Sequence, residues 1–147
     1  MKRILVLCTL MFSLFALSAS SNITIQPASA QAKSTAVTME SCLATCRKCQ
    51  KMCENTLAYC KKKGGKHAEA KHINTLKDCI QACKTSAEYL SRNSENHTKS
   101  CGFCAEICKI CAKSCEAMPE DKQMKNCAAE CRTCAESCEK MSNMNMK

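Results

Sequence analysis

Between residues 42 and 141, small apolar residues recur at steps of three and four. Alternating steps of this kind place the repeating residues on one face of an α-helix, in the a/d positions of a helical bundle. Four runs carry the pattern, and cysteine is their commonest repeating residue. The repeating cysteines are Cys42, Cys46, Cys49, Cys53 and Cys60 in the first run, Cys79 and Cys83 in the second, Cys101, Cys104, Cys108, Cys111 and Cys115 in the third, and Cys127, Cys131, Cys134 and Cys138 in the fourth.

Other residue types complete the pattern. We predict that Leu57 fills the gap in the first run, and that His72, Leu76, Ala87 and Leu90 occupy the remaining core positions of the second. His67 falls off the core face, and we expect it to be solvated. The second run is therefore the one with the fewest thiols.

Helix-breaking residues lie between the runs, with the single exception of Gly102 near the start of the third run. Gly64-Gly65 ends the first run, 93–96 separates the second from the third, and Pro119 opens the fourth at a favoured first-turn position. We predict helices near residues 38–63, 66–92, 97–118 and 120–141. Short connections make neighbouring helices antiparallel. The predicted fold is therefore all-α, an antiparallel up-down-up-down four-helix bundle with a cysteine-lined core over residues 38–141.

The segments outside the bundle are predicted separately. Lys2 and Arg3 precede an apolar stretch at 4–19, and Ala28-Ser29-Ala30 is a small-residue cleavage pattern, so residues 1–30 are predicted to be a Sec-type secretory signal peptide. Residues 31–37 are predicted to be a flexible segment, and 142–147 a Met-containing polar tail. No second long apolar run follows, so we expect a periplasmic or secreted protein that does not contact the membrane after signal removal.

The number of cysteines changes the interpretation of the core. Seventeen cysteines occur in 147 residues, and all but Cys8 lie in the four runs. Cysteine packs as a small hydrophobe, which explains a few such positions. Replacing leucine by cysteine throughout the core would forfeit on the order of 20 kcal/mol of apolar burial, more than the ~5–15 kcal/mol net stability of a domain. We infer that the thiols bind something or bridge one another.

Three chemistries compete for these thiols. Disulfides suit an exported protein, and the pair Cys42/Cys46 could staple to Cys79/Cys83, which would make a structural or interaction bundle. Zinc suits four-thiolate sites, although the Cys-x2-Cys pairs here lie within helical runs and lack knuckle glycines. Cu(I) is soft, selects thiolate and thioether ligands, and accepts two or three sulfurs, so a column of thiols could bind many ions. Cu(I) fits the spacing best.

Several other classes of function are disfavoured. The haem motif Cys-x-x-Cys-His is absent, because Gln50, Ala105, Ala112 and Ala135 stand where histidine would be needed. No cysteine is singled out by a catalytic histidine and carboxylate, so we do not expect an enzyme. The formal charge is +9, but aromatic residues make up 3% of the chain, too few for base stacking, so we expect no nucleic-acid partner. The bases either offset the charge of copper–thiolate units or form an ordinary solvated surface.

Soft ligands also occur at both predicted ends of the core. His72, Met118 and Met124 fall at the end where the second helix begins, and Met39, Met141 and His97 fall at the other. Thioether and imidazole groups there could pass Cu(I) inward to the stronger thiolates. The alternative is that methionine fills gaps at helix ends.

These features together resemble the copper storage protein family. The resemblance rests on Cys42-x3-Cys46-x2-Cys49-x3-Cys53 and on the matching Cys-x2-Cys and Cys-x3-Cys repeats of the third and fourth helices, and it covers residues 38–141. It implies reversible storage of many Cu(I) ions by core cysteines and homo-oligomers that are often tetramers. Besides copper ions, the partners that we consider are copper-donor or copper-acceptor proteins or small chelators. The second helix departs from the densest pattern of the family, so we expect fewer ions on its side.

Overall fold

The computed structural model describes residues 36–144. Within this range the chain forms four α-helices, α1 (Met39–Lys63), α2 (Ala70–Ser91), α3 (His97–Glu116) and α4 (Lys122–Ser142), and a 3₁₀ turn at Gly65–Ala68. The predicted signal peptide, residues 1–30, lies outside the described residues, as do most of segment 31–37 and the end of tail 142–147. None of the helices in the described part of the chain combines the length and apolar character that a membrane crossing requires.

The four helices form a closed ring around one core. Each helix packs against the next one along the chain, and α1 also packs against α4. The start of α1 contacts the end of α4 through Cys42 and Cys138, whereas the later part of α1 contacts the start of α4 through Cys53 and Cys127. These contacts make α1 and α4 antiparallel. The predicted all-α four-helix bundle with a cysteine-rich core is confirmed.

Local signals fix the two ends of α1. The Thr38 backbone N–H donates to the Ser41 hydroxyl, and the Ser41 N–H donates to the Thr38 hydroxyl, which forms a reciprocal cap. At the other end, Gly64 and Gly65 have φ angles of 74° and 54°. This left-handed region suits glycine, so the pair ends the helix as predicted.

The fourth helix begins later than predicted. Pro119 lies in the turn before α4, and Asp121 is the N-cap, with its carboxylate accepting hydrogen bonds from the backbone N–H groups of Gln123 and Met124. Asparagine, aspartate, serine and threonine are strong N-cap residues, and here the carboxylate outweighs the preference of proline for a first turn. The second helix also begins later, at Ala70, because the 3₁₀ turn occupies the preceding residues.

Candidate metal centre

Every cysteine of residues 36–144 points into the bundle. All sixteen are fully buried, with 0% exposure, and all are free thiols. The Sγ atoms of Cys46 and Cys138, for example, lie 3.5 Å apart, far beyond the ~2.05 Å of a disulfide. In the described bundle the cysteines are therefore close neighbours that are not covalently paired, and the stapled arrangement of Cys42/Cys46 with Cys79/Cys83 does not occur.

The thiols converge in five groups, and within each group all the Sγ atoms lie within 4.8 Å of one another. Consecutive groups share members, so together they make one continuous column along the bundle axis. The groups are Cys42, Cys101 and Cys138; Cys46, Cys104, Cys134 and Cys138; Cys49, Cys83, Cys108 and Cys134; Cys49, Cys53, Cys79 and Cys131; and Cys53, Cys111, Cys127 and Cys131. We call this set of fourteen cysteines the thiol column.

The second helix joins the thiol column only near its middle. Cys79 contacts Cys53 at 3.6 Å and Cys108 at 3.7 Å, and Cys83 contacts Cys104 at 3.8 Å. Cys79 and Cys83 each belong to one of the five groups, and the remaining three groups consist of cysteines from α1, α3 and α4 alone. Toward the ends of the column, α2 instead buries apolar side chains or histidine, namely His72, Leu76, Ala87 and Leu90. The core positions predicted for these four residues are confirmed.

One predicted core position is wrong. Thr56, and not Leu57, fills the gap between Cys53 and Cys60: Thr56 is fully buried, whereas Leu57 is half-buried. Both residues satisfy a spacing of three and four. The threonine hydroxyl accepts a hydrogen bond from the Gln123 side chain at 2.8 Å, which removes the cost of burying it.

Two cysteines, Cys60 and Cys115, lie outside the five groups. The Sγ atom of Cys60 is 3.5 Å from Nε2 of His72, and Nδ1 of His72 is 2.7 Å from the Ser114 hydroxyl. Burial lowers the pKa of His72, so the ring is neutral at neutral pH and able to act as a ligand. Burial, together with the nearby Cys127 and Asp121, raises the pKa of Cys60 to about 11.

The opposite end of the bundle holds the other predicted histidine. His97 is buried, and its Nδ1 lies 2.7 Å from the backbone oxygen of Ser94. A carbonyl oxygen can only accept, so Nδ1 carries the proton and the Nε2 lone pair is left for a ligand, as in many metal-binding histidines. Neither His72 nor His97 belongs to one of the five groups.

The four methionines proposed as ligands all lie in or against the core. Met124 and Met141 are fully buried, Met118 is 8% exposed, and Met39 is half-buried against the core. Met118 lies in the turn between α3 and α4 and Met124 in the first turn of α4, whereas Met39 and Met141 lie at the other end, where α1 begins and α4 finishes. The structure thus places soft side chains at both ends of the column, as the spacing predicted.

The expectation that His67 is solvated is wrong. Its side chain is 14% exposed, and Nε2 lies 3.0 Å from the Asp121 carboxylate. The same carboxylate accepts hydrogen bonds from the Tyr59 hydroxyl at 2.8 Å and from the Lys63 ammonium group. Asp121 therefore ties the end of α1 and the 3₁₀ turn to the start of α4. Sequence spacing could not show this cluster, because it forms across three separate elements.

Several surface bases are paired with acids between helices. Lys48 on α1 lies 2.7 Å from the Glu130 carboxylate on α4. Two nitrogens of Arg132 on α4 each donate to a carboxylate oxygen of Glu116 on α3, both at 2.6 Å. Lys109 pairs with Glu139. Glu130 is nine-tenths buried, and its second oxygen, Oε1, has no hydrogen-bond partner among the described residues. Part of the basic surface therefore holds helices together.

Comparison with known proteins gives matches over the same part of the chain. The model of the copper storage protein family matches residues 35–143. The uncharacterized cysteine-rich protein YhjQ of Bacillus subtilis (strain 168) is 28% identical over 76 residues, which cover 52% of this chain and 70% of that protein.

Solved structures of similar fold include copper-bound and metal-free forms. The Cu(I)-bound copper storage protein BsCsp3 superposes with a TM-score of 0.66 at 27% identity, covering 70% of this chain and 96% of that one. Apo-Csp3 from Bacillus subtilis gives a TM-score of 0.64 at 26% identity, covering 71% and 99%. The protein Nmul_A1745 from Nitrosospira multiformis gives 0.66 at 39% identity, covering 71% and 94%.

Proposed function

Because this chain belongs to the copper storage protein family, we propose that it binds many Cu(I) ions through its core thiols and stores them. The observation that carries the proposal is the thiol column, in which fourteen buried, unbridged cysteines form overlapping groups. The similarity of this chain to the Cu(I)-bound structure of BsCsp3 supports the choice of copper as the metal.

The chemistry of the column suits Cu(I). Thiolate is a soft ligand and Cu(I) a soft ion, and two or three sulfurs suffice for one ion. Closely spaced thiols in a buried site cannot all ionise on their own, because like charges repel and burial disfavours each of them. Binding of a cation removes that obstacle, and each thiol gives up its proton as it binds. Loading is therefore an exchange of protons for copper.

The proposed ligands fall into two sets. The cysteines of the thiol column hold most of the copper, and Cys60 and Cys115 extend the column at one end. His72, Met118 and Met124 at that end, and Met39, His97 and Met141 at the other, supply weaker nitrogen and thioether ligands. Their burial at the two ends of the core supports this assignment.

The wider setting is also a proposal. The signal-like segment at residues 1–30 supports storage outside the cytoplasm, as a non-enzymatic buffer. Exchange with copper-donor or copper-acceptor proteins or small chelators would fill and empty the store. Two exposed apolar side chains on α3, Phe103 and Ile110, with the half-buried Ile107 between them, support assembly into homo-oligomers.

Zinc is the second candidate, because four of the five groups contain four thiols, the number of a closed zinc site. Neighbouring groups share cysteines, however, so at most two of the four-thiol groups can hold a zinc ion at the same time without sharing a ligand. A zinc protein would therefore bind about two ions per chain in such sites, whereas Cu(I) can use the sulfurs two or three at a time.

Titration separates these functions. Fully reduced protein is titrated with Cu(I) in the presence of a strong chromogenic chelator, and in parallel with Zn(II). We expect uptake of Cu(I) well above two ions per chain, with Zn(II) unable to displace it. Thiol counting on the metal-free protein is the control, and it should give free thiols for nearly all the core cysteines. Cu(I) uptake limited to two ions, or a largely oxidised core, would contradict storage.

A further inference from the structure

One end of the bundle is open and basic. At this end α1 and α3 finish and α2 and α4 begin, and we call it the basic end. A cavity of about 380 Å³ lies there, lined by Lys66, Lys71, Lys113 and Glu69 together with His72 and Met118. The same opening thus presents three ammonium groups and two soft ligands.

The charges around this cavity are not balanced by acids. Lys71 and Lys113 make no ion pair within residues 36–144, and Lys66 donates to the backbone oxygen of Ala117 at 3.2 Å. Glu69 is the one carboxylate in the lining. It is also the N-cap residue of α2, yet its side chain makes no capping hydrogen bond, so the positive end of the helix dipole adds to the three lysines.

A second cavity at the basic end lies against the backbone or side chain of Cys115, whose thiol is itself fully buried. It measures about 490 Å³ and is lined by Cys115, Lys125 and Arg132, with Glu116 beside Arg132. Cys115 and Cys60 are the two cysteines that belong to none of the five thiol groups. The first cavity leads toward Cys60, because His72 lines it and has its Nε2 3.5 Å from the Cys60 Sγ. Both thiols outside the groups therefore lie next to basic cavities.

Resting on the proposed storage of copper, we propose that the basic end is a docking site for an anionic Cu(I) complex of a small chelator. Lys66, Lys71 and Lys113 hold the anion while copper passes to Cys60 and Cys115. A cavity of about 380 Å³ is of small-molecule size. A carrier protein would instead be recognised over a broader surface.

The transfer is a ligand exchange without a change in oxidation state. A bond between Cu(I) and a donor atom of the chelator breaks, and a bond between Cu(I) and a cysteine Sγ forms. The thiol loses its proton, which passes to the released donor atom of the chelator. The chelator then leaves the cavity without copper, and copper stays Cu(I) throughout.

The test compares two donors and two variants. Copper is supplied either as the anionic bis(bicinchoninate) complex of Cu(I) or as the cationic acetonitrile complex, and uptake is followed by stopped-flow absorbance. The variant Lys66→Gln/Lys71→Gln/Lys113→Gln removes the charges of the basic end. The matched control Lys77→Gln/Lys84→Gln/Lys99→Gln removes three charges from exposed lysines elsewhere on the bundle. Circular dichroism and copper capacity check that both variants fold.

We expect the first variant to take up copper from the anionic donor about 10-fold more slowly at low ionic strength, with little change for the cationic donor. High salt should remove the difference. The proposal would be overturned if the two variants slowed uptake from the anionic donor equally, because net charge alone would then explain the rates. It would also be overturned if the first variant slowed uptake from both donors equally. If the triple variant does not fold, Lys113→Gln and the salt dependence of the unmodified protein with each donor decide the same question. Failure of every protein to take copper from either donor would instead contradict storage itself.

Discussion

The Sγ atom of Cys79 on α2 lies 3.6 Å from the Sγ atom of Cys53 on α1. Through this contact the helix with the fewest cysteines joins the thiol column. Cys83, one turn further along α2, meets Cys108 at 3.7 Å and Cys134 at 4.0 Å. Two residues of α2 thus complete the middle of the column.

Removing these two thiols should lower copper capacity. In Cys79→Ala/Cys83→Ala the two middle groups each lose one sulfur, so we expect a loss of about one or two Cu(I) per chain, since Cu(I) takes two or three soft ligands. The initial rate of uptake should not change. The matched control, Cys60→Ala/Cys115→Ala, removes two thiols outside the groups and should slow uptake more than it lowers capacity. An unchanged capacity in the first variant would show that α2 does not take part in storage.

Copper affinity should increase with pH. The pKa of Cys60 is raised to about 11, chiefly by burial, so this thiol is protonated in the free protein at neutral pH. Copper must displace a proton from each such thiol, so the apparent affinity should rise about tenfold per unit increase in pH for every proton released. Competition with bicinchoninate at several pH values between ~6 and ~8 measures the slope, and a pH indicator measures the protons. An affinity independent of pH would mean that the thiols are already ionised.

The Asp121 cluster predicts how stability depends on pH. The Lys63 ammonium group, and then the Tyr59 hydroxyl and the backbone N–H groups of Met124 and Gln123, lower the pKa of Asp121 despite its burial. A lowered pKa means that the carboxylate stabilises the fold above its unfolded value of ~3.9, and that this contribution is lost as the pH falls toward the folded value.

Asp121→Asn should therefore lower the free energy of unfolding by about 1–2 kcal/mol near neutral pH, and the difference should narrow as the pH falls from ~5 to ~2. Thermal unfolding followed by circular dichroism measures it. Asp78→Asn is the control, because Asp78 is exposed and its carboxylate makes no hydrogen bond or ion pair with the rest of the described chain. If the two proteins differed in free energy of unfolding by the same amount at every pH, the charge of the Asp121 carboxylate would not contribute to stability.

Leu76 should matter more to stability than its surroundings suggest. It is fully buried in the cysteine-rich core and is the largest of the fully buried side chains. Leu76→Ala should cost about 2–5 kcal/mol in the metal-free protein, because it leaves a cavity that small cysteine side chains cannot fill. Ile110→Ala, at a position that is 54% exposed, should cost about 0.5 kcal/mol or less. Urea unfolding of the two variants gives the comparison, and equal costs would contradict it.

The cysteine spacing was sufficient to predict the fold. Steps of three and four specify a helix face, and the breakers at Gly64-Gly65 and around Asn93 separate the helices where the structure does. Spacing alone could not choose between Thr56 and Leu57, because both fit, and the apolar residue was the wrong choice. The decision depended on Gln123, a hydrogen-bond partner 67 residues away in the chain.

The sequence could not predict which cysteines form each group, because this too depends on contacts between residues far apart in the chain. Sequence placed sixteen thiols on inner faces, but which of them meet depends on the axial offset between helices. That offset leaves Cys60 and Cys115 outside the five groups, although both follow the same spacing as their neighbours. It also brings His67 to Asp121, which the helix pattern could not show because His67 lies in a 3₁₀ turn.

A core built largely from one small residue type does not by itself determine the axial register of the helices. Moving α1 or α3 along its axis by seven residues would again set cysteine against cysteine, with little change in shape, and uniformly packed cores tend to lose a unique native state. The pairs Thr56–Gln123 and Lys48–Glu130 hold α1 in one alignment against α4, and the pairs Lys109–Glu139 and Glu116–Arg132 do the same for α3. The residues without sulfur therefore select the single structure in which the sulfur atoms meet.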